Sequence, residues 1–392
     1  MPMSQSTNSA KTSKKAKPKK PHKDFPLFPH ATGRWAKKIR GKFHYFGKWD
    51  DPQAALNLWL EQKDDLLAGR RPRNKSDGLT VADLCNRFLT SKKRLLENEE
   101  IGSRTFRLYL TACKRIVDAF GRTWAVEELQ AEDFERFRSE LTKGRGPVAL
   151  GNEIRYVRMV FKYAADAGLI DRPVRIGPDF KMPSKRILRQ NRVASGPRML
   201  EADQIRATLA ATDQTLRAMI LLGVNCGLGN TDLSCLPFSA LDLDDGWLDY
   251  PRPKTGVERR CPLWPETVGA LRASIVASPT AKDDADSGLV FITKYGRRWV
   301  KTSDAGSPDD AIGKEFSKLL TRLGMKRRGL NFYALRHTFE AIAGDSKDQV
   351  AVNAIMGHVD TSMAATYRER ISDERLQAVV DIVRAWLWPD GV

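Results

Sequence analysis

Four times between residues 79 and 175, apolar side chains recur at helical spacing. The runs are Val81, Leu84, Phe88 and Leu89; Phe106, Leu110, Cys113, Ile116 and Val117; Phe134, Phe137 and Leu141; and Ile154, Val157, Val160, Phe161 and Ala164. A helix apolar along one stripe must bury that stripe against a neighbour, so the spacing predicts a four-helix bundle. Thr80 ahead of the first run and Gly168 after the last are ordinary helix-end residues.

Before the bundle, the text from Gly33 to Trp49 alternates basic with apolar or aromatic residues around Gly41, which predicts a small hairpin. Strict alternation would put Trp35, Ile39, Phe43 and Tyr45 on one face and Arg34, Lys38, Arg40, Lys42 and His44 on the other. Asp50 and Pro52 then open a helix that runs to about Gly69. This unit, residues 24–72, is a strand pair backed by a helix, and its basic face suits a DNA groove. After the bundle, residues 198–392 read as helices from about Glu201, Lys314, Leu335, Gln349 and Glu374, with the apolar run Met219 to Val224. Strand-like pieces lie at Trp247–Tyr250, Arg259–Leu263 and Leu289–Ile292. The fold class expected is mainly α with small β-sheets (α+β).

Charge narrows the partner. A net charge of +18 over 392 residues favours a polyanion through long-range attraction and counterion release. A membrane is excluded as a span, because no stretch approaches the roughly 20 apolar residues required. Residues 1–23 hold seven lysines and no acidic residue, and are expected to be a disordered basic tail. They lack the apolar segment of a secretory signal, so a cytoplasmic, nucleoid-associated location is expected. Two basic linkers, Arg70 to Gly78 and residues 176–197, separate the units. Arg104, Lys114, Arg155 and Arg158 on the bundle are candidate DNA contacts, along with Arg34, Lys38, Arg40 and Lys42. The five cysteines form no CxxC pair and read as reduced core thiols.

Four elements of the last segment carry specific text: LLGVNCGLGNTDLSCLPFSALDL (221–243), YPRPKTGVERRCPL (250–263), FYALRHTF (332–339) and IMGHVDTSMAATYRER (355–370). In order and spacing they resemble the catalytic domain of the tyrosine recombinase (phage integrase) family. The first is similar to the family's Gly-Leu-Arg-x-x-Glu-Leu helix and the second to its Lys-bearing β-hairpin. The others are similar to its His-x-x-Arg and Leu-Gly-His…Tyr boxes. The resemblance implies an arm-type domain at 24–72, a core-binding domain at 78–175 and a catalytic domain at 198–392.

The implied chemistry is DNA strand transesterification, which needs a nucleophile, cations for the charge developing on phosphate, and an acid for the leaving oxygen. It calls for no metal and no other cofactor. By resemblance Tyr367 is the nucleophile that forms a 3′-phosphotyrosine, Arg336 a bidentate phosphate donor, His358 a second donor and Lys254 the acid for the leaving 5′ oxygen. The implied partner is double-stranded DNA, bound by a homo-oligomer, in this family a tetramer; no small-molecule substrate is implied. The helix near 374–388, apolar on much of its surface, is expected to dock on a neighbouring protomer or on its own domain.

Two positions depart from the family. The histidine of the third box is Tyr333, whose phenol can still donate or relay a proton. The first family arginine is Gly229. Its backbone N–H at a helix start is a weaker donor to phosphate, and Asn225, Asn230 or Arg217 stand nearby in sequence to replace the lost charge. Two functions therefore stay open: a site-specific recombinase or integrase, and a catalytically impaired DNA-binding protein of the same fold.

Overall fold

The structure is a computed structural model and describes residues 17–67, 69, 78–302 and 308–391. Most of the basic tail and, of the linker Arg70 to Gly78, all but its last residue lie outside the described residues. The described residues are mainly helical with small sheets, as expected. None of their helices is long and apolar enough to cross a membrane. They fall into two compact units, one comprising residues up to 94, 109–145 and 152–182, the other 95–108, 146–151 and 183–392.

In the first unit, strands Phe28–His30, Arg34–Ile39 and Lys42–Lys48 form an antiparallel three-stranded sheet rather than a lone hairpin. Arg40 and Gly41, both at positive φ, make the two-residue turn that matches strand twist. The pairing slips beside Trp35 and Ala36, where Trp35 faces Gly47 and Ala36 faces Tyr45. That slip leaves Phe46 unpaired and reverses the alternation of the third strand. Trp35, Ile39 and Phe46 are buried over Ala55 and Trp59 of the helix Pro52–Leu67. Phe43 and Tyr45, expected inside, stand exposed beside His30, whose ring lies 5.3 and 5.1 Å from theirs. One lysine at the end of the tail is engaged: Lys20 Nζ donates to the Phe25 carbonyl at 3.0 Å.

The four periodic segments form helices Val81–Glu97, Ser103–Phe120, Ala131–Thr142 and Pro147–Asp166. Phe88 packs edge-on against Tyr109, while Phe120, Phe134, Phe137 and Phe161 pack on one another. The stretch expected to be a linker adds Phe180 to that cluster, stacked 6.0 Å from Phe137. It also carries the helix Lys185–Ala194, capped by Ser184 and buried nowhere.

The second unit is built around the helix Gln214–Asn225, whose residues Ala218 to Asn225 are all buried. Helices Pro265–Val276, Ala334–Ala343 and Asp373–Leu387 pack on it. Strands Leu241–Asp242, Trp247–Asp249 and Arg260–Pro262 make one sheet, and Val300–Thr302 pairs with Pro308–Asp310 in another. Leu289–Ile292 is no strand. It is a buried loop tied to Leu236 and Pro237, so its apolar run marks burial rather than pleating. All five cysteines are free, four of them buried.

Candidate active site

The site is assembled from two glycine turns, one helix start and one hairpin of the second unit. Gly227 (φ 64°) and Gly357 (φ 60°) adopt the left-handed backbone that favours glycine. The turn at Gly357 ends the helix Gln349–Met356, and the turn at Gly227 follows Gln214–Asn225. Arg336, on the first turn of Ala334–Ala343, spans both chain reversals. Its Nη1 donates to the Gly227 carbonyl at 2.6 Å and its Nη2 to the Met356 carbonyl at 2.7 Å. The residue is 2% exposed and has no carboxylate partner among the described residues. Burial, then the charge of Arg252, lower its pKa below the ordinary guanidinium value. Such a buried, uncompensated cation calls for an anion.

His358 follows Gly357 directly. Its backbone N–H donates to the Asn353 carbonyl at 2.9 Å, and its Nδ1 lies 3.4 Å from Asn353 Oδ1. Burial and then the Arg336 charge hold its pKa below the usual imidazole range. The hairpin carrying Lys254 reaches the same turn, because Thr255 Oγ1 and Arg252 Nη1 each donate to the Gly357 carbonyl at 3.4 Å. Lys254 itself is exposed in the hairpin loop.

Gly229 precedes the helix Asn230–Ser234. Its N–H donates to Asp232 Oδ2 at 3.0 Å, so the donor expected to meet phosphate is already used. The three residues expected to replace the missing arginine are also committed or misplaced. Asn225 is wholly buried, bonded to the Pro262 carbonyl, the Trp264 N–H and the Thr267 hydroxyl. Asn230 donates to Asp310 at 2.7 Å. Arg217 is exposed near the far end of its helix.

A Cβ added at Gly229 would lie 3.4 and 3.5 Å from two ring carbons of Tyr333. The two departures from the family text are therefore neighbours, a larger ring packing where a side chain is lost. The Tyr333 ring also stands edge-on to His337 at 5.3 Å. Sequence reasoning passed over Asp232, Arg252, Arg259 and His337. The one signal for Arg252 was its place between Pro251 and Pro253, which stiffen the hairpin.

Tyr367 is not gathered in. It ends the short helix Met363–Thr366, is 80% exposed, and its hydroxyl has no hydrogen-bond partner among the described residues. Arg368 beside it pairs with Asp360 at 3.0 Å. The other predicted contacts, Arg34, Lys38, Arg40, Lys42, Arg104, Lys114, Arg155 and Arg158, are exposed, although Arg158 donates to the Phe180 carbonyl at 3.1 Å. Among the described residues no cluster of three or more His, Cys, Asp or Glu side chains has the geometry to hold a metal ion.

Residues 198–373 match the family model described as the phage integrase family. No curated protein matches the chain in sequence. Several solved structures share its fold. A lambda integrase dimer bound to a COC′ core site superposes with a TM-score of 0.56 at 17% identity, covering 89% of this chain and 96% of that one. The Tn1549 transposon integrase in complex with a circular intermediate DNA gives 0.57 at 18%, covering 78% and 99%. A lambda integrase tetramer bound to a Holliday junction gives 0.55 at 17%, covering 90% and 98%. The glycine-held Arg336, the His358 turn and the Lys254 hairpin all fall within the matched span, and residues 198–373 are accordingly a phage integrase family domain.

Proposed function

We propose that the protein is a site-specific DNA recombinase or integrase that works through a 3′-phosphotyrosine. The observation that carries this reading is Arg336, a buried guanidinium without a carboxylate, set beside His358 and the Lys254 hairpin. The Tyr367 oxygen attacks the scissile phosphorus and forms an O–P bond as the bond to the 5′ oxygen breaks. The Lys254 ammonium gives its proton to that leaving oxygen, and the phenolic proton passes to water. Arg336 and His358 offset charge on the non-bridging oxygens, which is where preorganised donors contribute most. Phosphate next to His358 raises its proton affinity, so the ring enters the reaction as a cationic donor. Rejoining reverses the step with another 5′ hydroxyl and needs no outside energy.

The partner is double-stranded DNA. On the N-terminal sheet Arg34, Lys38, Arg40 and Lys42 supply phosphate contacts around the exposed Phe43 and Tyr45. Arg104, Lys114, Arg155 and Arg158 supply them from the helical bundle, and the core site is bound by several copies of the chain. The DNA-bound dimer and tetramer among the similar structures support that assembly.

Gly229 and the exposed Tyr367 favour a second reading, a DNA-binding protein with impaired chemistry. A substrate nicked next to the crossover separates the two. Loss of the short fragment traps a covalent complex, read on a denaturing gel. The recombinase reading expects that product from the unmodified protein and none from Tyr367→Phe. Specific binding with no product from either leaves the second reading.

A further inference from the structure

We infer that Arg252, from the Lys254 hairpin, supplies the second guanidinium to the scissile phosphate in place of the arginine absent at Gly229. The inference rests on the recombinase reading above. Arg252 is held by its backbone: its N–H donates to the Val257 carbonyl at 2.8 Å, and its carbonyl accepts from the N–H groups of Thr255 and Gly256 at 3.1 and 2.8 Å. Pro251 and Pro253 restrict the chain on either side. Its side chain then runs across Gly357, where an added Cβ would lie 2.9 Å from Arg252 Cβ and 3.1 Å from Cδ. Only glycine permits that approach, and the residue after it is His358.

The charge balance points the same way. Arg252 is half-buried, has no carboxylate partner among the described residues, and its Nε is buried without a hydrogen bond. Among the described residues its sole side-chain bond is the long one to the Gly357 carbonyl. Its charge lowers the proton affinity of both Arg336 and His358, so the three groups share one field. Asp232 and Glu340 offset part of this charge, but Asp232 is already paired with Arg259, and the remaining excess is costly unless an anion enters, which a phosphodiester supplies. Of the hairpin's two other arginines, Arg259 is bound to Asp232 and the Tyr250 carbonyl with its side chain wholly covered, and Arg260 is paired with Asp249 and Asp373. Both hold the hairpin in place.

The trapped-complex assay with Arg252→Ala and Arg252→Lys tests this. Arg252→Ala should lower the rate of covalent product about 10²–10³-fold, as expected for loss of one preorganised donor. Binding to the same DNA should change by less than about threefold, since one phosphate contact among many is lost. Arg252→Lys should recover only part of the rate, because an ammonium lacks the planar fork. A methylphosphonate at the scissile position removes the charge the guanidinium offsets. That substrate should bring Arg252→Ala to within about tenfold of the unmodified protein. A product rate unchanged in Arg252→Ala overturns the inference alone. A rate loss that methylphosphonate does not relieve also overturns it, assigning Arg252 a structural role. No product from the unmodified protein overturns the recombinase reading and this inference with it.

Discussion

Arg259 Nη1 lies 3.4 Å from Asp232 Oδ2, and the two side chains are 0% and 9% exposed. The same oxygen accepts the Gly229 N–H, and Arg259 Nε donates to the Tyr250 carbonyl at 3.1 Å. One buried ion pair thus joins the start of the helix Asn230–Ser234 to the hairpin that carries Arg252 and Lys254. Removing one partner strands the other charge in a covered site. Asp232→Ala is expected to cost about 3–5 kcal/mol, whereas replacing both partners by apolar residues should cost far less. Urea unfolding of the two variants measures the difference, and equal losses would contradict a charge-based cause.

Gly229→Arg restores the family text but not the family surroundings. The Tyr333 ring occupies the space beside position 229, and a new guanidinium there would compete with Arg259 for Asp232. The added Cβ makes only ordinary contact with that ring, so the cost comes from the weakened Arg259–Asp232 pair: the single substitution should lower stability by about 1–3 kcal/mol and should not raise covalent product. Increased product from Gly229→Arg alone would show that the pair survives the new guanidinium.

Acid should destabilise the second unit through His337 and His358. Both pKa values lie below the ordinary imidazole value, in each case chiefly from burial, with Arg198 next for His337 and Arg336 for His358. The unfolded chain binds these protons at about pH 6.5 and the folded chain only at lower pH. Their contribution is therefore present above pH 6.5 and is lost as the pH falls toward the folded values. Asp360, held to about 2 by the Ser362 N–H and hydroxyl and by Arg368, titrates well below that window. Melting temperatures from pH 7 to 5 should fall, and His337→Gln should flatten the slope. An unchanged slope would exclude that histidine.

DNA affinity should fall steeply with salt. If about ten phosphates are neutralised, log affinity against log salt has a slope near −9. Lys38→Ala should reduce that slope by about 1. Phe43→Ala, at an exposed ring in the same sheet, should weaken binding with the slope intact. Identical salt slopes for the Lys38 variant and the unmodified protein would remove Lys38 from the interface.

The C-terminal helix Asp373–Leu387 belongs to the core of its own unit, with Leu376, Val379, Val380, Val383 and Leu387 all buried there. Trp264 Nε1 donates to the Val380 carbonyl at 3.0 Å, and Arg384 pairs with Glu266. Of the two docking partners open in the sequence, the helix takes its own domain. Deleting it should unfold the unit, and Leu376→Ala alone should cost about 2–5 kcal/mol. A truncated protein that keeps its near-UV circular dichroism would contradict this.

The sequence by itself determined the elements and the chemistry it could carry. Helical spacing specified the four bundle helices, and the four boxes named Lys254, Arg336, His358 and Tyr367 in order. These are local patterns, readable because periodicity and turn chemistry act over a few residues. Tertiary structure decided the rest. One unpaired residue, Phe46, turned Phe43 and Tyr45 outward, which no alternation rule foresees. Gly229 lost its donor to Asp232, and Arg259 and Arg252 came to the site from a hairpin more than twenty residues away. Which buried charges meet depends on packing between distant elements, and a buried charge is tolerated only where the folded chain supplies its partner or leaves room for an anion.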